Sequence, residues 1–98
     1  MDRQLALDEI VRNRPEVMAR AAGDGLVLVD MSSGLCWELN PVGAAVWAAL
    51  ETPKTLAEVC RALQGRYPVS PDVLERDVLA LGRSLSDAGL LRRAADAR

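Results

Sequence analysis

The sequence predicts an α+β fold of winged-helix-like order, a three-stranded antiparallel sheet followed by three α-helices. Three observations lead to it. In residues 32–50, SSGLCWELNPVGAAVWAAL, the apolar spacing changes from two to three and four within a few positions. Two later stretches, beginning at Thr55 and at Ser70, open with helix-start residues and continue at helical spacing. The chain of 98 residues has no internal repeat, low-complexity segment or linker, so these elements belong to one domain.

The elements follow in order. Residues 5–11, LALDEIV, read as an extended arm within an N-terminal segment 1–14. PEVMARAA, residues 15–22, reads as the first strand, although Glu16, Met18 and Ala19 would suit a helix equally well. Gly23 and Gly25 mark a turn before a strand over Leu26–Asp30, and Ser32, Ser33 and Gly34 make the turn into a strand over Leu35–Leu39. Asn40 then suits an N-cap and Pro41 the first helical position, where proline's missing N–H is one a helix leaves unpaired anyway. The first helix spans 41–50, with Trp47 off its main apolar stripe. Thr55 and Glu58 form a capping box for the second, whose inner face is Leu56, Val59, Cys60, Leu63 and Tyr67. Ser70 and Pro71 start the third, which runs to Gly89 with Leu74, Val78, Leu81, Leu85 and Ala88 in one arc. Leu90 and Leu91 resume an extended course, and residues 92–98 read as a frayed tail. The folded domain is therefore expected over 15–91.

Composition excludes several functions. Half the residues are apolar but only 3% are aromatic, so the core is built of Leu, Val and Ala. The formal charge of −2, without a block of like charge, offers no footprint for nucleic acid or an anionic membrane. No signal peptide or membrane-length apolar run opens the chain, which points to the cytoplasm. There is no histidine, and Cys36 and Cys60 lie far apart, so a zinc site and His-based nucleophile pairs are both disfavoured. Buried free thiols are the expectation for both cysteines. No phosphate loop or other cofactor motif is present, and the protein is expected not to be an enzyme.

A winged-helix order raises DNA binding. Against it, residues 72–87 carry Asp72, Glu75, Asp77 and Asp87 with only Arg76 and Arg83, which repels phosphate where a recognition helix should meet it. The same helix has a second flank, Val73, Asp77, Ala80 and Ser84, with Arg76 beside it. Small residues there leave room for a peptide, although such a flank is also an ordinary solvated surface.

With LVLVD, SSGLCWELNPVGAAVW, TLAEVCRAL and ERDVLALGRSLSDAGLL, the chain resembles the PqqD family over roughly residues 15–91. These are the leader-peptide-binding domains also called RiPP recognition elements, found in lasso-peptide and pyrroloquinoline-quinone pathways. The resemblance implies a non-catalytic peptide chaperone that binds the leader of a ribosomally made precursor peptide and presents it to a modifying enzyme such as a radical-SAM protein, leader protease or cyclase. It implies that the leader adds as a strand beside Leu35, Cys36, Trp37, Glu38 and Leu39, with Val73, Arg76, Asp77, Ala80 and Ser84 as the opposing wall. An unpaired strand would also let two copies pair along 35–39 when no leader is present. A DNA-binding winged-helix regulator is the competing reading, and a subunit that stabilises an enzyme without touching peptide is a third.

Overall fold

The computed structural model describes residues 4–94. Its elements are β1 (Ile10–Asn13), β2 (Val17–Ala22), β3 (Gly25–Asp30), β4 (Cys36–Leu39), α1 (Pro41–Ala49), β5 (Lys54–Thr55), α2 (Leu56–Leu63), α3 (Pro71–Asp87) and β6 (Leu91–Arg93). The α+β class, the antiparallel sheet β2–β3–β4 and the three helices after it are as the sequence predicts. The cap signals are also realised. Asn40 Oδ1 accepts from Gly43 N–H at 2.8 Å, Thr55 and Glu58 close a capping box, and Ser70 Oγ accepts from Val73 N–H.

The difference lies at the ends of the chain. The expected arm carries β1, which pairs with β5 on one side and β6 on the other to make a second three-stranded antiparallel sheet. Val11 and Asn13 are buried because alternate residues of this short strand face inward, and Leu5, ahead of the strand, is fully buried in the same core. Arg92 and Arg93, expected in a frayed tail, belong to this sheet, with Val11 opposite Arg93. The expectations for residues 1–3 and 95–98 lie outside the described residues.

The core gathers Leu28 and Leu39 from the first sheet, Val46, Trp47 and Leu50 from α1, Leu56, Val59 and Leu63 from α2, and Leu74, Val78 and Leu85 from α3. Trp47 is buried although it lies off the main apolar stripe, because α1 is apolar nearly all round and packs against β3, α2 and α3 together. Three side chains depart from expectation. Tyr67 lies beyond α2, which stops at its C-cap Gln64, and packs on the core from the following loop. Leu81 is half-buried at the edge of the α3 arc, whereas Gly82 is buried: a Cβ there would meet Leu56 Cδ1 at 2.6 Å, so α2 and α3 approach closely. Both cysteines are free, Cys60 buried as expected but Cys36 exposed, since odd and even residues of β4 face opposite ways and no layer covers its outer side.

Candidate functional site

The strand β4 is held by the turn before it. Asp30 Oδ1 accepts from the Ser32 amide at 3.0 Å and the Ser32 hydroxyl at 2.7 Å, and Gly34 N–H donates to Asp30 O at 2.7 Å. Gly34 has φ of 77°, a left-handed conformation that glycine adopts without steric cost. The Ser32 donors, with Arg14 Nη1 3.8 Å away, hold the Asp30 carboxyl below the usual carboxylate range. At the other end Gly25 lies against the Leu39 carbonyl, where any Cβ would collide. The two ends of β4 are thus pinned to β3.

Register then decides which main-chain groups remain open. In β3–β4, Leu26 faces Leu39, Val27 faces Glu38, Leu28 faces Trp37 and Val29 faces Cys36. Asp30 N–H donates to Leu35 O at 2.9 Å, so residues 35, 37 and 39 turn their polar groups toward β3. Cys36 and Glu38 therefore direct N–H and C=O away, to the outer edge, where β4 is the last strand of the sheet. Side chains divide the other way. Leu39 is buried and Trp37 half-buried on the helix side, while Cys36 and Glu38 stand on the exposed side. Leu35 precedes the strand and is 57% exposed.

Beside the end of β4 opens a groove of about 310 Å³ lined by Asn40, Val42, Gly43, Val69, Leu74, Asp77, Ala80 and Leu81. One wall is the β4–α1 junction, where the abrupt Asn40–Pro41 turn carries the chain away from the edge. The other wall is α3. Asp77 and Ala80 face the groove as the sequence suggests, and Val73 and Ser84 fall in the same row toward either end of α3. Arg76 lies about 100° round the helix from Asp77 and does not line the groove. Asp77 has no ion-pair partner among the described residues, so the groove is an apolar trough with one unneutralised carboxylate on its wall.

Sequence reasoning missed Asn40, Val42, Gly43, Val69, Leu74 and Leu81 as lining. Two of these had a signal: Leu74 and Leu81 lie one turn before and one turn after Asp77, both on the side of it nearer the core arc, so a groove along that side includes them. Val69 arrives from a loop without periodicity. Among the described residues no cluster of three or more His, Cys, Asp or Glu could hold a metal ion, and no helix is long and apolar enough to cross a membrane.

Residues 25–91 match the family described as coenzyme PQQ synthesis protein D (PqqD). No curated protein sequence matches the chain. Among solved structures, lasso peptide synthetase B1 complexed with the leader peptide is 34% identical, with 84% of this chain and 96% of that one covered and a TM-score of 0.72. TbiB1 in complex with the TbiA(beta) leader peptide is 28% identical, covering 83% and 94%, with a TM-score of 0.73. The PqqD truncation of Methylobacterium extorquens PqqCD, a stand-alone RiPP recognition element, shares the fold at 20% identity, 91% and 95% coverage and a TM-score of 0.74.

Proposed function

The chain belongs to the PqqD family, and from that premise we propose that it is a non-catalytic peptide chaperone that binds the leader of a ribosomally synthesised precursor peptide and presents it to a modifying enzyme. The observation that supports this most directly is the juxtaposition of an unpaired β4 edge with the α3 groove. A leader laid antiparallel to β4 exchanges main-chain hydrogen bonds with Cys36 and Glu38. Its alternate side chains then turn toward the helices, where an apolar one enters the trough among Val42, Leu74, Ala80 and Leu81. Asp77 offers a carboxylate to a basic neighbour on the peptide and so favours one register.

Leu35, Trp37 and Leu39 support this site through the sheet, and Val73 and Ser84 extend its helical wall. Arg76 acts at the rim, where it meets charge on a peptide leaving the groove. The protein works in the cytoplasm without metal or nucleotide, beside an enzyme such as a radical-SAM protein, leader protease or cyclase. The DNA-binding alternative loses ground further, because Arg83, one of the two cations of α3, donates through Nε to Leu5 O at 2.9 Å and is committed to holding the N-terminal segment.

Titration calorimetry with a synthetic peptide of the cognate leader is the test, with about one-to-one binding and no metal requirement as the expected result. Ala80→Trp fills the groove from an exposed helix position. It should leave the circular dichroism spectrum and Tm nearly unchanged while weakening the leader at least tenfold, about 1.4 kcal/mol. Unchanged affinity in the folded variant would place the peptide elsewhere.

A further inference from the structure

The sheet β2–β3–β4 has a second face, which the helices do not cover. Its cross-strand rows follow from the register: Met18, Val29 and Cys36 lie side by side in one, and Arg20, Val27 and Glu38 in the next. Leu28 and Leu39 point the other way, into the core. On this outer face Met18 is 45% exposed, and Met31 at the adjoining turn is 61% exposed. An apolar strip of this kind on a folded protein marks an interaction surface.

The second row identifies the occupant. Arg20 is on one outer strand and Glu38 on the other, about 10 Å apart in backbone position across β3, and no ion pair joins them. Neither has an ion-pair partner among the described residues. A two-fold axis parallel to β3 just above this face exchanges β2 with β4 while preserving height along the strands. It sets Arg20 of each copy opposite Glu38 of the other, Met18 opposite Cys36, and Val27 and Val29 against their own counterparts. The face is thus complementary in charge and apolarity to itself, which an isologous contact requires. The long Arg20 side chain spans the offset that sheet twist adds to aligned face-to-face packing.

We propose that two copies of this chain associate through the outer faces of their β2–β3–β4 sheets, locked by two reciprocal Arg20–Glu38 pairs. Both β4 edges remain open at the sides of the resulting sandwich. The association is therefore distinct from pairing of two copies along β4, and it stands whether or not the leader reading holds.

The test is sedimentation of the full chain in reducing buffer over a range of concentrations. The wild type should show reversible monomer–dimer exchange. Arg20→Glu alone and Glu38→Arg alone each set like charges together twice per dimer and should weaken association about tenfold or more. The double exchange, Arg20→Glu with Glu38→Arg, should restore it to roughly the wild-type level, with circular dichroism confirming that all variants fold. A monomer at every concentration, singles that associate like the wild type, or a double variant that is not rescued would each overturn the interface. So would a dimer that saturating leader peptide dissociates, which is the behaviour of copies paired edge to edge.

Discussion

The sheet β2–β3–β4 has two unpaired edges, and they differ in everything except that they are unpaired. At the β2 edge, Met18 to Ala22 are exposed on both faces, and the nearest depression, against Trp47 and Glu51, is lined by Arg12, Asn13 and Arg14. At the β4 edge, Leu39 is buried, the chain turns sharply away at Asn40–Pro41, and an apolar groove opens against α3. Both offer the same main-chain donors and acceptors. What separates them is the apolar receptacle for side chains, since backbone hydrogen bonds supply affinity to any extended peptide but pockets supply selection. An open edge is ordinarily a hazard, and the exposed β2 edge has Arg20 near its middle as a partial guard.

Removing what the two edges share breaks the comparison outright. Leu28 lies in the central strand, fully buried, with Ala19 of β2 and Trp37 of β4 directly beside it. Leu28→Ala should cost about 2 to 5 kcal/mol of stability by leaving a cavity, read as a lower denaturation midpoint with unchanged slope. If the midpoint stays in place, the sheet is not anchored through this side chain.

A matched pair of prolines sharpens the contrast. Met31 N–H donates to Glu16 O at 3.1 Å, so in β2 Ala19 and Ala21 direct open N–H groups outward, as Cys36 and Glu38 do in β4, whereas Val17 N–H is taken by Arg14 O. Proline at such a position removes an outward donor without removing a ladder bond. Glu38→Pro should therefore weaken leader binding by one hydrogen bond, about 0.5 to 1.5 kcal/mol, while Ala21→Pro should leave it alone. Equal losses in calorimetric titrations of the two variants would mean that the leader does not discriminate between the edges.

The smallest effect concerns the turn that feeds β4. The carboxyl of Asp30 is held below its usual range by the Ser32 hydroxyl and amide, so its contribution to stability is present above the ordinary carboxylate pKa and fades as pH falls through the depressed value. Glu58 acts with the same sign, its carboxylate held down by Thr55 in the capping box. Stability should accordingly decline with acidification below about pH 4, and Asp30→Asn should flatten part of that slope, leaving the Glu58 share. An Asp30→Asn variant with the full wild-type slope would assign the decline to other carboxylates.

Legibility in the sequence followed the range of the interaction. The helix starts were readable because each cap lies within three residues of the group it satisfies: Asn40 with Gly43, Thr55 with Glu58, Ser70 with Val73. β3 and β4 were readable from alternation, and Asp77 and Ala80 from the helical wheel. β1, β5 and β6 were not, because these short strands have no hairpin turn beside them to mark a partner, and their pairing joins Val11 to Lys54 and Arg93, far along the chain. The buried Trp47 and exposed Cys36 depended on how many layers cover α1 and β4, which is a property of packing. The groove was half readable for the same reason: its α3 wall follows from spacing within one helix, whereas Val42 and Val69 reach it only through tertiary placement.

That long-range sheet has a consequence in time. The hairpins β2–β3 and β3–β4 close short loops and can form as soon as their residues exist, whereas β1 meets β6 only across nearly the whole chain. During synthesis the first strand to emerge is therefore among the last to complete its pairing. Until Leu91–Arg93 leave the ribosome, one side of β1 stays unsatisfied, and Arg14 lacks the Gly89 carbonyl to which its Nη1 donates at 2.7 Å. The sheet that carries the open β4 edge can take shape while the opposite end of the molecule is still unfinished.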